Sequence, residues 1–393
     1  MAVPESERSL GERIFRVVGA QFGVHACMAG LRMGVPLLVL DLGLGAAAAG
    51  FALALFGLGQ ILLSLPAGHI ADRFGVKRPV YAGMAIAIIG AAIAAVWPIY
   101  PVLCLTALLE GAAIAVVVVA IQRQAGRLSD DVADLRRVFA WLTFGPATAN
   151  FAGPFLVGLV IDAAGFKVAF MMQVGIALLT LPFIWSMREY PPTAPAEGRR
   201  QGAWALWRDP VMRRVLSMNW FVSATWDLHT VMLPLLGHAR GLSAGVIGSI
   251  LGAFALAAAL IRLVTPAMAA RVKEWVLLSC ALGVAAVLLA LYPLMSSVVA
   301  MAVCSILIGA AVGSVQPLAM TLLHQITPPD RQGQAAGLRM VMINASSISM
   351  PMLAGSAGGL LGVAGVFWAG AVMMAYGARQ AVGLRSMLDR GKA

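Results

Sequence analysis

The sequence has few charged residues and few cysteines. Charged residues make up 11% of the chain and hydrophobic residues 61%, whereas an ordinary globular domain has about 25% charged residues. The four cysteines, Cys27, Cys104, Cys280 and Cys304, stand alone in apolar runs, and we expect packing thiols rather than disulfides or a metal site. The sequence contains no nucleophile triad, metal-ligand cluster or nucleotide-binding loop. We therefore expect no enzymatic activity, no cofactor and no bound metal.

What the sequence does contain is a series of long apolar runs. A helix needs about 20 apolar residues to span a bilayer, and 393 residues with short connections have room for about a dozen such helices. The pattern predicts an all-α integral membrane protein with twelve transmembrane helices. Their predicted spans are 14–40, 46–67, 79–97, 101–122, 138–161, 168–187, 213–237, 245–264, 274–293, 297–323, 337–360 and 363–384.

The basic residues are distributed unevenly between the two predicted sides of the membrane. The chain carries a formal charge of +11, and 25 of its 28 bases fall in the termini, in the even-numbered loops or at the span ends next to them. Such an excess marks cytoplasmic segments, so we expect a multi-pass protein of the cell inner membrane with both termini cytoplasmic. The dispersed bases give no reason to expect a nucleic-acid partner. The N-terminus shows no cleavage site, and we expect it to be retained.

The chain divides into two halves of six predicted helices. Residues 188–210 are polar, basic and rich in proline, and we interpret them as a cytoplasmic linker between bundles at 1–187 and 211–393. The second half repeats the first at an offset of 198 or 197 residues, pairing Gly43 with Gly241, Gly50 with Gly248, Pro154 with Pro351, and Gly158 with Gly355. Parallel repeats of six helices place a substrate site near the midplane between the halves.

Three charged residues lie well inside predicted spans, away from the cytoplasmic ends, where a charge is costly and indicates function. Glu110 either exchanges protons or forms a fixed ion pair with a base such as Arg32. Asp227 either binds substrate or closes an outer salt bridge with Arg32. Arg32 itself either faces an internal cavity or extends toward the outer surface. Further candidates for the cavity are polar or aromatic residues: His25, Asn150, Trp226, His229, Gln316 and Asn344.

The polar stretch between the second and third spans has the sequence GHIADRFGVKR. It resembles the loop motif of the major facilitator superfamily of secondary transporters, and the resemblance extends over nearly the whole chain. The matching residues are Gly68, Asp72, Arg73, Gly75, Lys77 and Arg78. The fifth-helix residues Gly153, Pro154 and Gly158 are similar to the signature of the family's antiporters. The fourth-helix arginine motif of its drug antiporters is missing, and Ala107 stands at that place.

The resemblance implies a fold of two pseudo-symmetric six-helix bundles that open alternately to each side of the membrane. It also implies a cytoplasmic latch, in which Asp72 accepts hydrogen bonds from the N-terminus of the eleventh helix and from Arg136 or Arg137. We expect a monomeric transporter that exports a small organic solute in exchange for protons. Glu110 or Asp227 would carry the proton, Arg32 would bind an anionic group, and Trp226 would supply an apolar face.

Two other functions remain open at this point. The first is proton-coupled uptake of a small organic anion or a metal chelate, which a substrate-binding Arg32 would suit. The second is a different class of protein, a sensor or assembly factor that has the transporter fold but moves no solute. The buried ionisable residues and the latch bases favour transport, since a static scaffold gains little from them.

Overall fold

A computed structural model describes residues 10–128, 131–187, 189, 203–269, 271–327 and 332–385. Within this part of the chain all regular structure is helical. The continuous helices are Leu10–Asp41, Gly45–Phe74, Lys77–Val96, Tyr100–Ala125, Val132–Trp185, Pro210–Ala239, Ala244–Ala269, Glu274–Leu291, Val298–Ile326 and Gln332–Val382. Two short 3-10 helices, Ala203–Arg208 and Tyr292–Leu294, complete the described structure. The prediction of an all-α fold is confirmed.

Two of these helices are each divided by one glycine. The helix Val132–Trp185 has 54 residues and would be about 80 Å long if straight, far more than the roughly 30 Å of a bilayer core. Gly165 interrupts it at φ 81° and ψ 172°, and Gly362 interrupts Gln332–Val382 at φ 70° and ψ 167°. Residues with a side chain rarely adopt such a conformation. The ten helices thus become twelve segments.

We number these segments in chain order. The helices Leu10–Asp41, Gly45–Phe74, Lys77–Val96 and Tyr100–Ala125 are α1 to α4. The divided helix gives α5 (132–164) and α6 (166–185). The helices Pro210–Ala239, Ala244–Ala269, Glu274–Leu291 and Val298–Ile326 are α7 to α10, and the second divided helix gives α11 (332–361) and α12 (363–382).

Nine stretches of the described residues are long and apolar enough to cross a membrane. One of them, Arg137–Trp185, takes in most of both α5 and α6. The helices α7 and α11 are not among the nine. Both carry polar residues within their apolar stretches, among them Asp227 and His229 in α7 and Asn344, Ser346 and Ser347 in α11, which lowers their hydropathy. The protein is therefore a multi-pass membrane protein whose helix order matches the predicted twelve.

The second helix is longer than the sequence analysis predicts. We expect it to end at residue 67, before the polar loop motif, but α2 continues to Phe74. The polar residues 69–73 include no proline or glycine, so nothing in them stops a helix. Gly75 then ends it at φ 78°. Most of the loop motif is therefore the last two turns of a helix, and the connection to α3 is only two residues long.

The described chain forms two compact units. The first takes in residues up to 44, 51–196 and 242–252, and the second takes in residues 45–50, 197–241 and 253–393. The first turns of α2 thus belong to the second unit, and the first turns of α8 belong to the first unit. The boundaries predicted at 187 and 211 assign these short segments to the opposite halves.

The internal repeat is visible in the backbone conformation. Gly43 and Gly241, 198 residues apart, both have positive φ, at 74° and 69°. The two helix-dividing glycines, Gly165 and Gly362, are 197 residues apart and have nearly the same φ and ψ. The second pair was not among the repeat positions recognised in the sequence. It shows that the repeat extends to the turn between the last two helices of each half.

The repeat is also visible in close helix contacts within each unit. In the first unit Gly111 of α4 lies against the carbonyl oxygen of Phe56 in α2, and in the second Gly309 of α10 lies against that of Phe254 in α8. A side chain at either glycine would collide with the facing backbone. The helices can therefore approach each other this closely only because these positions are glycine.

The glycines recognised as repeat partners make matching contacts as well. In the second unit Gly50 of α2 lies against the carbonyl oxygen of Pro351 in α11. In the first unit Gly248 of α8 lies against the carbonyl oxygen of Pro154 in α5. The two contacts use the same glycine and proline positions of the repeat. Because proline has no backbone N–H, neither proline adds a donor that needs a hydrogen-bond partner at the helix crossing.

Candidate functional site

Glu110 lies in the middle of α4 and is completely buried. Its exposed fraction is 0%, and neither carboxylate oxygen has a hydrogen-bond partner among the described residues. The carboxylate points toward α3, because Oε1 is 3.5 Å from the place that a Cβ on Gly90 would occupy. One turn earlier, the Thr106 hydroxyl donates to the Gly90 carbonyl at 2.8 Å and fixes α4 against α3.

The contacts of Glu110 test the alternative interpretation of this residue, a fixed ion pair with a base such as Arg32. Arg32, on α1, is partly exposed. Since neither oxygen of Glu110 accepts a hydrogen bond in the described structure, the hydrogen-bonded pair of Glu110 with Arg32 is not formed in this conformation. Proton exchange by Glu110 stays a prediction.

A second buried polar group lies in the same unit, on α6. Gln173 is 0% exposed, and its amide nitrogen and oxygen both lack partners in the described part of the chain. Its amide packs directly on Gly30 of α1. The Cys27 thiol donates to the backbone carbonyl of Gln173 at 3.4 Å. These contacts join α1 and α6.

Sequence reasoning did not select Gln173. The signal was available, since it is an isolated amide between apolar residues of the predicted sixth span. Buried amides usually find hydrogen bonds, so an amide without a partner among the described residues is a candidate for binding a ligand. An ionised carboxylate is costly to bury without partners. Both Gln173 and Glu110 are therefore candidates for function.

In the second unit Asp227 has partners of its own. Its carboxylate is 3% exposed. Oδ2 accepts from the Ser346 hydroxyl at 2.8 Å and from the Ser347 hydroxyl at 3.0 Å, both on α11. These bonds tie α7 to α11. The pairing of Asp227 with Arg32 stays a prediction.

The serines are expected to matter for stability because they donate to a buried carboxyl group. Replacing both Ser346 and Ser347 with alanine should lower the free energy of unfolding by about 1–3 kcal/mol, the usual result of removing hydrogen bonds from a buried polar group. Thermal unfolding in detergent would show this as a lower melting temperature. Ser356→Ala is the matched control, because its hydroxyl is exposed and bonds only its own helix. Equal melting temperatures for the double variant and the control would contradict this role.

Trp226 and His229 both pack against the same aromatic side chain, that of Phe254. The ring centroids of Trp226 and His229 each lie 4.6 Å from that of Phe254 on α8. His229 is 0% exposed, neither of its ring nitrogens has a partner among the described residues, and Tyr292 packs edge-on at 5.2 Å. The Tyr292 hydroxyl in turn bonds that of Ser305 at 2.8 Å. Trp226 is partly exposed, as a side chain that offers an apolar face to a ligand must be.

The other predicted cavity residues are partly exposed, and the bonds seen at two of them stay within one helix. His25 Nδ1 bonds the Gln21 carbonyl at 2.9 Å, and the Asn150 amide donates to the Pro146 carbonyl at 2.8 Å. Gln316 and Asn344 are also partly exposed. Glu110, His25 and Asn150 lie in the first unit, and Asp227, Trp226 and His229 lie in the second.

The loop motif contacts a residue that sequence reasoning did not select. Glu189, just beyond α6, accepts hydrogen bonds from the backbone nitrogens of Val76 at 2.7 Å and Lys77 at 3.1 Å. A carboxylate at the start of α3 satisfies open N–H groups and complements the helix dipole. Gly75 lies against this carboxylate, where a Cβ would collide with it. The Lys77 ammonium donates to the Trp185 carbonyl at 2.9 Å.

The predicted latch itself remains a prediction. The side chains of Asp72 and Arg136 lie outside the described part of the chain, as do residues 328–331 before α11. Of the other motif residues, Arg73 places its guanidinium 5.3 Å from the centroid of the Phe74 ring. Arg137 is exposed on α5.

Removing the charge of Glu189 should loosen the first turn of α3. Glu189→Gln keeps the shape but loses one of the two acceptors and the charge, which should cost about 1 kcal/mol at a helix start. We expect amide hydrogen exchange at Val76 and Lys77 to be about fivefold faster. The amides in the first turn of α9 serve as an internal control and should exchange as before. Unchanged rates at Val76 and Lys77 would contradict the capping role.

No group of three or more histidine, cysteine, aspartate or glutamate side chains that could hold a metal ion occurs within the described residues. The polar groups described above are instead dispersed in pairs and triplets along the helices. Such an arrangement can bind a solute or exchange a proton.

Comparison with protein families gives one match over most of the chain. The family model described as Major Facilitator Superfamily matches residues 17–226 and 215–382. A comparison with curated proteins found no significant match.

Comparison with solved structures finds similar folds at low sequence identity. A mutant of the nucleoside transporter NupG has a TM-score of 0.79 and 15% identity, with 96% of this chain and 100% of that chain covered. A POT family transporter in complex with 5-aminolevulinic acid has a TM-score of 0.76 and 14% identity, with 94% and 95% covered. A POT family transporter bound to a thioalcohol-conjugated peptide scores 0.75 at 14% identity, with 95% and 96% covered.

Proposed function

Because the chain belongs to the Major Facilitator Superfamily, we propose that it couples export of a small organic solute to entry of protons, with Glu110 as the proton carrier. The protein is a membrane transporter rather than an enzyme. The observation that carries the finer proposal is the carboxylate of Glu110, which is fully buried and has no hydrogen-bond partner in the described structure. An intramembrane acid of this kind is most readily explained by proton exchange.

Exchange requires that protonation of Glu110 and binding of the solute weaken each other. In the conformation described here the Glu110 carboxylate is buried without a partner among the described residues, and a neutral carboxylic acid is the form that fits such a place. Opening of the site to water on one side would allow Glu110 to ionise and the solute to bind. Opening on the other side would reprotonate Glu110 and release the solute. Following the distribution of bases, both termini lie in the cytoplasm in this scheme.

The direction of transport is proposed from α5. Gly153 packs on α1, where a Cβ would lie 2.8 Å from the Ala26 carbonyl oxygen and from the Gly30 nitrogen. Gly158 packs on Ala244, and Pro154 lies between these two close contacts. The antiporter-like residues are thus the points at which α5 approaches its neighbours, which supports a role in the motion of that helix.

Uptake of a small organic anion is the second candidate, and the position of Arg32 favours it. Arg32 is a base within a predicted span and is partly exposed. A guanidinium in that position can bind a carboxylate or phosphate through two parallel hydrogen bonds. Import and export use the same site and differ in the direction in which the proton moves relative to the solute.

Reconstitution into liposomes tests the proposal and separates the two candidates. An acid-inside pH gradient is imposed, the lumenal pH is recorded, and a panel of organic anions, cations and neutral compounds is added outside. Exchange predicts that one class of compound accumulates inside while lumenal protons leave. Uptake by cotransport predicts that the compound accumulates only with an acid-outside gradient. No change of lumenal pH with any compound, from protein shown to be folded, would contradict proton coupling.

A further inference from the structure

A cavity in the first unit is not explained by proton exchange. Its volume is about 660 Å³, which is typical of a small-ligand site, and it lies between the early turns of α1 and α5 and the later turns of α6. Aromatic rings form its walls. Phe15 and Phe183 meet edge to face with centroids 5.6 Å apart, and Trp141 and Phe144 do so at 5.8 Å.

The cavity is open along one side. Phe15 is 66% exposed and Leu179 is 74% exposed, and both line it. Trp141 and Phe144, on the opposite wall, are about half exposed. A rim of large apolar side chains is unfavourable toward water but suited to the hydrocarbon region of a membrane.

The interior of the cavity offers little to a polar solute. Thr148 and Thr180 are the hydroxyl side chains among its lining residues. Each donates to a carbonyl of its own helix, Thr148 to Phe144 at 2.9 Å and Thr180 to Ile176 at 2.8 Å. A polar ligand would lose hydrogen bonds to water without replacement here. A hydrocarbon chain makes no hydrogen bonds to water and therefore loses none when it enters the cavity.

One end of the cavity is basic. Arg137 lines it there and is exposed. A second cavity of about 490 Å³ shares Phe15 and Phe183 with the first and is lined by Arg16 and Glu12. The two cavities together therefore carry two arginines and one glutamate, a net positive charge.

Gly11 of α1 lines both cavities. The Arg16 guanidinium donates to the Ser186 carbonyl at 2.9 Å, which holds this base at the mouth of the second cavity.

We propose that this cavity binds an acyl chain of an anionic phospholipid, with the headgroup phosphate at Arg137 and Arg16. Basic pockets between transmembrane helices on the cytoplasmic side recognise anionic headgroups. The predicted orientation places the first turns of α1 and α5 on that side, where anionic lipids are abundant. The proposal rests on this orientation and not on proton coupling.

Quenching of Trp141 fluorescence by lipids with brominated acyl chains tests the site. The chain has nine tryptophans, so the signal of interest is the difference between the wild-type protein and Trp141→Phe. The purified proteins are titrated in neutral detergent with brominated phosphatidylglycerol and, separately, with brominated phosphatidylcholine. We expect the phosphatidylglycerol to half-saturate the Trp141 signal at about fivefold lower mole fraction, as the single net positive charge of Arg137, Arg16 and Glu12 predicts.

Arg137→Gln should remove the preference for phosphatidylglycerol, whereas Arg213→Gln, an exposed base of the second unit, should retain it. Val18→Phe fills the cavity and should reduce the quenching amplitude with both lipids. Equal half-saturation by the two lipids in the wild-type protein would overturn the proposal. So would quenching that does not differ between the wild-type protein and Trp141→Phe. Because transport is not the readout, failure here leaves the proton proposal intact.

Discussion

Glu110→Gln should abolish concentrative transport while leaving the protein folded. Glutamine has nearly the same shape as glutamate, and the side chain makes no hydrogen bond that the change could break in the described structure. A permanently neutral side chain can neither release nor accept the proton. In proteoliposomes with a pH gradient, we expect accumulation of solute to fall to the level of liposomes without protein.

The same variant should keep the exchange of labelled for unlabelled solute in the absence of a gradient. This counterflow needs alternating access but no net proton movement, so it separates a coupling defect from misfolding. Glu274→Gln, which removes an acid from the first turn of α9, is the matched control and should transport normally. Gradient-driven accumulation at the wild-type rate in Glu110→Gln would remove Glu110 from the mechanism.

The second large effect is expected at the glycines that let helices touch. Gly111→Ala and Gly309→Ala each place a Cβ against a facing carbonyl oxygen, that of Phe56 and that of Phe254. Because the obstacle is backbone, the helices must separate. The cost of such overpacking is about 1–3 kcal/mol. Both variants should therefore show a clearly lower melting temperature in detergent.

Each of these variants has a control in its own unit. Gly175 and Gly283 are also helical, but a Cβ there would meet nothing within 4 Å. Gly175→Ala and Gly283→Ala should be neutral or slightly stabilising, because alanine favours a helix over glycine by roughly 0.5–1 kcal/mol. Melting temperatures that fall equally in all four variants would show that helix contact is not the cause. The repeat further predicts similar losses for Gly111→Ala and Gly309→Ala.

The sequence predicts the helical fold well because bilayer spans are long and apolar. It also gives the repeat, since Gly43 and Gly241 occupy equivalent positions and share a positive φ. The end of α2 is wrong by seven residues, because polar residues alone do not stop a helix and the stop is Gly75. Hydropathy locates the part of a helix in the bilayer and not the turns that extend beyond it.

The candidate site is only partly predictable. An acid within an apolar run, such as Glu110, stands out because its burial is costly. Gln173 and Glu189 do not, because their importance comes from residues distant in the sequence. Gln173 packs on Gly30, and Glu189 bonds the start of α3. Such contacts depend on how helices cross, which neither periodicity nor composition specifies.

The most direct test of the account is to measure proton release when solute binds. The purified protein is placed in weakly buffered detergent solution, and a solute identified in the liposome panel is added while the pH is recorded. Exchange at Glu110 predicts that binding releases about one proton per protein molecule from the wild-type protein and none from Glu110→Gln, although the variant still binds the solute. Equal proton release from both proteins would contradict the claim that Glu110 carries the proton.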